Sequence, residues 1–277
     1  MPAFVTFLSD FGTDGDFTGI CHGVIARLCP EARVVDISHG IRPTDVAQGA
    51  RLLLGAIAYM PVGVHLCVVD PGVGSHRRPV VLRSGDGRLF VGPDNGLMVP
   101  AAEACGGIAE ARVIDNPDVM LQPVSATFHG RDVFAPAAAR LAAGMALAEV
   151  GAAVDPTLLV RRDPVGHRLE GALLEATVVA VDRFGNIQLG VVPGDLDGRF
   201  QTGRVAEVAT DDDRYHARCA GTFADVEPGE LVLYEDSSGL LSLAINRGDA
   251  AELTAAVSGS RLTVNFAPPG LDERSPA

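Results

Sequence analysis

The first half of the sequence alternates short apolar runs of strand length with longer runs that carry a helical pattern. Strand-like runs lie at 4–8, 34–37 and 65–69, and the helical patterns between them lie at 17–29 and 44–59. Parallel strands need a long crossover connection, so this order is typical of a mostly parallel sheet flanked by helices. We therefore expect an α/β domain over residues 1–157. Its remaining elements are predicted as strands at 80–83, 89–91 and 111–114 and helices at 97–105 and 132–143.

From about residue 158 the pattern changes to short β-like runs separated by Gly, Asp and Asn turns. This spacing predicts a smaller, all-β, barrel-like domain over residues 158–266. The final segment, 267–277, contains three prolines and several charges and is expected to be a flexible tail. The clearest strand-like runs of the second domain are 173–181, 204–208, 230–234 and 240–244.

Charge and composition exclude several classes of function. The formal net charge of −13 disfavours nucleic acid or an anionic membrane as partner, because both would repel an acidic surface. All 22 basic residues are arginine. A P-loop, a pyridoxal enzyme and a Schiff-base aldolase are therefore excluded, because each needs a lysine amine. A cationic small molecule remains a compatible ligand.

The cysteines and apolar runs bear on the cellular compartment. The five cysteines are scattered and form no CxxC pair, so we interpret them as reduced core residues of a cytoplasmic protein. The first residues show neither a basic start nor a cleavage-type site, and no signal peptide is expected. The uncharged run 52–69 is long enough for a membrane helix. Pro61 and Gly63 interrupt it, however, which favours a helix, a turn and a buried strand.

Polar residues cluster at or after the ends of three predicted strands. In open α/β sheets, ligands bind outside the carboxyl ends of the strands, so these clusters are candidates for a site. They are Ser9-Asp10, Asp36-Ser38-His39 and Asp70.

The segment VVDPGVGSHRR (68–78) is the most informative of these. A buried strand delivers Asp70 into a Pro-Gly turn, and Arg77 follows. Gly72 and Gly74 match half of the dinucleotide fingerprint, but Arg77 stands at its third glycine position and no helix pattern follows, so a Rossmann site is not expected. The residues alone leave two interpretations open, a turn closed by an Asp-Arg salt bridge or a catalytic carboxylate.

The segment TFHGRDVFAPAAARL (127–141) places His129 and Arg131 at the start of an apolar helix. Gly130 between them allows close approach of a ligand. The position also fits a histidine that only contacts the helix N-terminus. No histidine pair shows metal-ligand spacing and His22 lies within a helical pattern, so we expect neither a metal site nor a cofactor.

Three further segments are, in isolation, simply turns: GPDNG (92–96), DRFGN (182–186) and DSSG (236–239). Taken with the other motifs, however, they make the sequence resemble the S-adenosylmethionine hydroxide adenosyltransferases. These are relatives of fluorinating and chlorinating enzymes that attack the same carbon with halide. The resemblance spans almost the whole chain, in the family's motif order. It is carried by SDFGTDGDF, DISHGI, VVDPGVGSHRR, GPDNGL, TFHGRDVFAP, DRFGNIQ and SSGLLSLAINRG.

The resemblance implies hydrolysis of S-adenosylmethionine to adenosine and methionine by attack of water on the ribose 5' carbon. It also implies an α/β domain joined to a β-barrel, in a homotrimer whose sites lie between one subunit's first domain and its neighbour's second. Asp70, Arg77 and His129 match the residues that orient the water, and Asp10 matches the carboxylate that binds the ribose hydroxyls. The other matched substrate-binding residues are Phe184 and Asn186 for adenine, Asp182 and Ser237 for methionine, and Asn95.

Two departures limit this assignment. Relatives usually carry an acidic residue five positions after the first aspartate, where this chain has Gly15 between Asp14 and Asp16. Either neighbouring aspartate is a candidate to take its place, and we assign Asp16. The halogenating branch has an arginine on the substrate carboxylate where this chain has Ser238, so backbone groups and Ser237 are expected to hold that carboxylate.

Hydrolysis is favoured over halogenation by two features. Halogenases carry tyrosine where Asp70 stands, and they have a longer insertion before the GPDNG segment, whereas here only residues 78–91 intervene. A carboxylate would repel halide but accept hydrogen bonds from water. A non-catalytic module that binds S-adenosylmethionine or adenosine remains the alternative, because binding alone would preserve the same motifs.

The leaving sulfonium departs as a neutral thioether, so no general acid is needed. Arg77 beside Asp70 would weaken that carboxylate as a base. An imidazole, with an ordinary pKa of about 6.5, is better matched to accepting a proton at neutral pH. We therefore expect a hydrogen-bonded unit in which Asp70 orients the water and His129 or its network accepts the proton.

Overall fold

The computed structural model describes residues 3–162 and 166–267. The chain divides into two compact units, 1–162 and 163–277, each with its own hydrophobic core. The division falls five residues after the expected boundary at 157/158. The predicted tail, 267–277, lies outside the described residues except for residue 267.

The first unit contains every strand and helix predicted for it, with ends displaced by a few residues at most. A π-helical turn, Gly130–Phe134, precedes the last helix and was not predicted. In chain order the elements are β1 (Phe4–Ser9), α1 (Phe17–Leu28), β2 (Arg33–Ser38), α2 (Val46–Ile57), β3 (Val64–Val68), β4 (Pro79–Ser84), β5 (Leu89–Pro93), α3 (Val99–Ala104), β6 (Ile108–Val113), α4 (Ala135–Ala142) and β7 (Ala153–Val154).

The sheet of this unit is mixed, so the expectation of a mostly parallel sheet is confirmed only in part. Its strand order is β2-β1-β3-β5-β4-β6-β7. The strands β2, β1, β3 and β5 run parallel, whereas β4, β6 and β7 pair antiparallel with their neighbours. The reason is connection length. Helices α1 and α2 provide the crossovers that parallel strands require, but only residues 85–88 join β4 to β5, and so short a link joins antiparallel strands.

Successive residues of β1 face opposite sides of the sheet and build two apolar layers. Phe7 packs in one cluster with Ile25 of α1 and Phe134 of the π-helical turn. Leu8 packs in the other cluster with Leu53 of α2. All of these side chains are fully buried, and each contributes about 1.5–3 kcal/mol of hydrophobic free energy. With both faces covered, the strand ends are left to carry the polar groups.

The second unit is a closed β-barrel, as predicted. Its sheet order is β10-β14-β13-β12-β11-β15-β9-β8, and an additional pairing of β9 with β10 closes seven strands into a ring. The predicted runs correspond to β9, β11, β13 and β14, and the other strands were not singled out. The elements are β8 (His167–Glu170), β9 (Leu173–Val181), β10 (Ile187–Leu189), β11 (Val205–Ala209), β12 (Arg214–Cys219), β13 (Leu231–Glu235), β14 (Leu241–Ile245), α5 (Ala250–Thr254) and β15 (Arg261–Asn265).

Two further expectations are confirmed. All five cysteines are buried and free. The apolar run 52–69 holds the end of α2, a turn and the buried strand β3. Among the described residues, no helix has the length and apolar character needed to cross a membrane.

Candidate active site

Neighbouring parallel strands β1 and β3 deliver two carboxylates to one edge of the first unit's sheet. Ser9 of β1 pairs with Val68 of β3, and Asp10 and Asp70 follow these residues. The backbone N–H of Asp10 donates to the carbonyl of Val68 over 3.3 Å, which ties the two strand ends together. The carboxyl ends of the strands thus bring Asp10 and Asp70 into one region.

A tight turn returns the chain from Asp70 to Arg77. The N–H of Val73 donates to the Asp70 carbonyl over 3.2 Å. Gly74 has a φ of +76°, and a Cβ at this position would lie 2.6 Å from the carbonyl oxygen of Ala126. Both the backbone conformation and the close approach therefore require glycine here.

Arg77 and Asp70 form a bidentate ion pair. The Arg77 Nε donates to the two carboxylate oxygens over 2.8 and 3.0 Å, and Nη2 also contacts Oδ2. The side chains of Asp70 and Arg77 are only 7% and 10% exposed, so little water competes for them. The guanidinium also lies 5.1 Å from the ring centroid of Phe134, a cation–π contact. Oδ1, which accepts only from Nε, keeps a lone pair that can accept a hydrogen bond from water.

The same guanidinium reaches His129. Arg77 Nη2 donates to His129 Nδ1 over 2.7 Å. Because a guanidinium has only donors, Nδ1 is the unprotonated acceptor and the ring proton lies on Nε2. Burial and then the charge of Arg77 lower the pKa of His129, against the opposing charges of Asp70 and Asp132. His129 is therefore a neutral imidazole with an Nε2–H donor, at one end of a hydrogen-bonded line with Arg77 and Asp70.

The π-helical turn Gly130–Phe134 positions His129, which immediately precedes it. A Cβ on Gly130 would lie 2.7 Å from Phe11 Cζ, so glycine is needed for this close packing. Arg131, also predicted at this helix start, pairs with the buried Asp132 over 2.6 Å. That pair holds the turn rather than extending the line of Asp70, Arg77 and His129.

Asp10 is held by a backbone group that sequence analysis missed. The N–H of Thr44 donates to Asp10 Oδ2 over 2.9 Å. Thr44 has a φ of +69°, a conformation that costs a non-glycine residue about 1–3 kcal/mol. Burial raises the pKa of Asp10, while the Thr44 hydrogen bond opposes this shift and the charge of Asp70 adds to it. The residue type of Thr44 carried no signal for its strained conformation.

The other two predicted residues of this unit differ in how their side chains are used. Asp16 is exposed at the N-terminus of α1 and makes no capping hydrogen bond through its side chain. Asn95 donates from Nδ2 to the carbonyl of Val69 over 2.8 Å and accepts from the N–H of Leu97 over 3.2 Å. Asn95 therefore braces the end of β3 next to Asp70.

The predicted residues of the second unit lie on two turns of the barrel. In the turn between β9 and β10, the Asp182 carboxylate accepts from the N–H groups of Phe184 and Asn186 and from Asn186 Nδ2, over 2.7–3.0 Å. These bonds fix the turn and leave Phe184 66% exposed. Ser237 is exposed in the turn between β13 and β14, where Asp236 accepts from Gln188 of β10 over 2.6 Å.

Sequence analysis also missed an aromatic cluster next to Gly130. The rings of Phe11 and Phe17 lie 5.8 Å apart, and Phe128 lies 5.9 and 4.7 Å from them. Phe17 is 49% exposed, so the cluster presents apolar surface near the segment that carries His129. The signal was available, because these phenylalanines stand inside the SDFGTDGDF and TFHGRDVFAP motifs.

Known proteins match both units. Residues 5–151 match the model of the SAM hydroxide adenosyltransferase N-terminal domain, and residues 176–263 match that of the C-terminal domain. A protein named (R)-S-adenosyl-L-methionine hydrolase from Salinispora tropica is 46% identical over 261 residues, which cover 94% of this chain and 97% of the relative.

Two more distant matches extend this comparison. A fluorinase from an Actinoplanes species is 30% identical over 300 residues, covering 96% of this chain and all of the relative. The crystal structure of an uncharacterized conserved protein from Thermotoga maritima superposes with a TM-score of 0.86 at 34% identity, covering 94% of this chain and 99% of that one.

Proposed function

The chain belongs to the SAM hydroxide adenosyltransferase family, and from this premise we infer that it is an enzyme that hydrolyses S-adenosyl-L-methionine to adenosine and L-methionine. The observation that carries this conclusion is the hydrogen-bonded line of Asp70, Arg77 and His129 at the carboxyl ends of β1 and β3. A vestigial binding module would have no need of a nearly buried ion pair joined to a neutral imidazole.

Water rather than halide is the nucleophile. The Asp70 carboxylate, 7% exposed, places negative charge where the attacking group must bind, which repels chloride or fluoride and attracts the hydrogens of water. Sequence identity also favours water as the nucleophile, because the chain is 46% identical to the hydrolase relative and 30% identical to the fluorinase.

The nucleophile attacks the ribose 5' carbon in line with the carbon–sulfur bond. The sulfonium leaves as a neutral thioether, so no proton has to be delivered to it. Because the sulfonium charge disappears in the transition state, carboxylates stacked on the sulfur would stabilise the ground state and slow the reaction. We therefore assign Asp10 to the ribose hydroxyls, which can donate hydrogen bonds to its carboxylate oxygens, and not to the sulfur.

The geometry revises the expected role of His129. Accepting the water's proton requires a free ring nitrogen, but Arg77 occupies Nδ1 and the proton already lies on Nε2. We assign His129 to donating a hydrogen bond from Nε2 to the attacking oxygen. Asp70 accepts a hydrogen bond from the water through the free lone pair of Oδ1. It can take the proton although Arg77 weakens it as a base, because the water becomes strongly acidic as its oxygen bonds to carbon, and Arg77 stabilises negative charge that develops on that oxygen.

We assign the remaining substrate contacts to the residues that match the family motifs. Phe184 offers an exposed aromatic face for the adenine, with Asn186 beside it. Asp182 and Ser237 serve the methionine portion, Asp16 is assigned to the substrate site without a named contact, and Asn95 acts by bracing the end of β3. Because these groups are divided between two units, we propose a homotrimer in which one subunit's first unit and its neighbour's second unit share each site. We place the enzyme in the cytoplasm, where its five free thiols stay reduced.

Chromatography of the purified protein with S-adenosylmethionine tests this function. We expect adenosine and methionine in equal amounts, at the same rate with and without excess chloride. A 5'-halogenated adenosine would show a halogenase. Tight binding of the substrate without any product would show a binding module.

A further inference from the structure

A second cluster of polar side chains joins α1, β2 and the loop after β2. His22 projects from α1, Asp36 lies in β2, and His39 follows the strand. The ligand-type atoms of these three residues lie within 4.8 Å of one another. Sequence analysis expected no metal site, and residue spacing did not reveal this cluster, because residues 22 and 36 are brought together only by the fold. The proposed reaction uses none of these residues.

The distances within the cluster suit a single bound ion. His22 Nε2 lies 2.9 Å from Asp36 Oδ1, and His39 Nε2 lies 3.1 Å from the same oxygen. Ligand atoms that bind one zinc ion at about 2.0–2.2 Å in tetrahedral geometry lie roughly 3.3–3.5 Å apart. An ion would therefore need the two imidazole nitrogens to move away from Asp36 Oδ1 by only a few tenths of an ångström.

His39 supplies an independent observation. The residue is 7% exposed, and its Nε2 makes no hydrogen bond among the described residues, although Asp36 Oδ1 lies close to it. The ring nitrogen is thus directed into the cluster without being aligned on the carboxylate oxygen. A buried nitrogen left in this way is costly unless something between the three side chains satisfies it.

The other nitrogen of His39 is already fixed. His39 Nδ1 lies 2.7 Å from Ser9 Oγ, which also accepts the backbone N–H of Phe11 over 3.3 Å. When Nδ1–H donates to Ser9, the lone pair of Nε2 faces His22 and Asp36. A metal-binding histidine typically donates its second N–H to such a partner, which sets the tautomer and the ring orientation.

We propose that His22, Asp36 and His39 bind one divalent transition-metal ion of the zinc class. Two imidazole nitrogens and one carboxylate oxygen suit zinc or its neighbours, whereas magnesium and calcium prefer all-oxygen ligands. The side chains of His22 and Asp36 are 35% and 42% exposed, so the ion can enter and water can complete its coordination. The bound ion links α1 to β2 and, through His39 and Ser9, to the segment that carries Asp10.

Metal titration of the untagged full chain tests the proposal. The protein is first treated with a chelator, and zinc binding is then measured by calorimetry at pH 7.5. The absorption spectrum of the cobalt-loaded protein reports the ligand types. His22→Ala and Asp36→Asn remove one ligand each at partly exposed positions. His216→Ala is the matched control, because His216 is exposed on strand β12 of the barrel.

We expect one zinc ion per chain in the wild type and in His216→Ala. We expect a loss of affinity of more than about 100-fold in His22→Ala and Asp36→Asn, and a loss of about 10- to 100-fold in Ser9→Ala, which removes the partner of His39 Nδ1. The cobalt spectrum should show nitrogen and oxygen ligands without a thiolate charge-transfer band. Absence of stoichiometric binding, equal affinity in His22→Ala and His216→Ala, or a thiolate band would each overturn the proposal. None of these readouts depends on hydrolytic activity.

Discussion

Replacing Asp70 by asparagine separates its catalytic role from its structural one. The amide keeps the shape and one acceptor oxygen but loses the charge, and its NH₂ group faces the donors of Arg77. Loss of the charge that orients and deprotonates the water should lower kcat by about 100- to 10,000-fold, the usual value of general acid–base assistance. In free energy this is about 2.7–5.4 kcal/mol of transition-state stabilisation.

The same change also affects stability. The side chains of Asp70 and Arg77 are 7% and 10% exposed, and breaking so buried an ion pair typically costs about 3–5 kcal/mol. Rates must therefore be expressed per folded molecule. Asp94→Asn is the matched control, because Asp94 is 3% exposed and pairs with Arg78 over 2.9 Å through Nε. We expect the control to lower the unfolding midpoint and to leave kcat per folded molecule within a few-fold of wild type.

The assay measures adenosine release and, separately, the binding of an unreactive substrate analogue. Asp70→Asn should bind the analogue about as well as the wild type. His129→Ala should lower kcat by a similar factor. The double variant should lower kcat by much less than the product of the two single factors, because the effects of residues in one catalytic unit are not additive. Normal turnover by Asp70→Asn, or a loss explained by affinity alone, would refute the mechanism.

Three further predictions follow from the same geometry. Because burial and Arg77 lower the pKa of His129, its NMR titration midpoint should lie below the usual value of about 6.5. As pH falls below that usual value, the unfolded chain binds the proton first, so the stability that neutral His129 contributes to the fold should be lost. A midpoint above 6.5 would contradict the assigned tautomer. Co-refolding Asp70→Asn with Asn186→Ala should restore about a quarter of wild-type activity if each site is shared between neighbouring subunits, and none if it is not. Gly130→Ala should lower the free energy of unfolding by about 1–3 kcal/mol, because the added Cβ meets Phe11. Gly23→Ala is the control: residue 23 is exposed on α1 with open space around it, so this change should raise the free energy of unfolding by up to about 1 kcal/mol. Equal thermal midpoints of the two variants would refute the packing argument.

Local pattern was enough to predict the elements of the first unit, because periodicity and helix or strand length depend on neighbouring residues. The short link 85–88 could have indicated that β4 and β5 pair antiparallel. The pairing of β4 with β6 was not predictable in the same way, because it joins segments distant in the chain and the apolar run of β4 looks the same in either direction. The strands missed in the barrel have a related cause. Strand β10 has only three residues, and its pairing with both β9 and β14 is what closes the ring.

The composition of the candidate site was predictable further than its chemistry. Motifs named Asp70, Arg77 and His129, but the proton's location depends on one contact between residues 52 positions apart in the chain. Histidine as a residue type is equally suited to accept or to donate a proton, and sequence analysis favoured acceptance on its ordinary pKa. Arg77 donates to Nδ1, so a proton accepted at that nitrogen would make His129 a second cation against the guanidinium. Asp70 is then the group that orients and deprotonates the water, and for this reason its substitution is the decisive test.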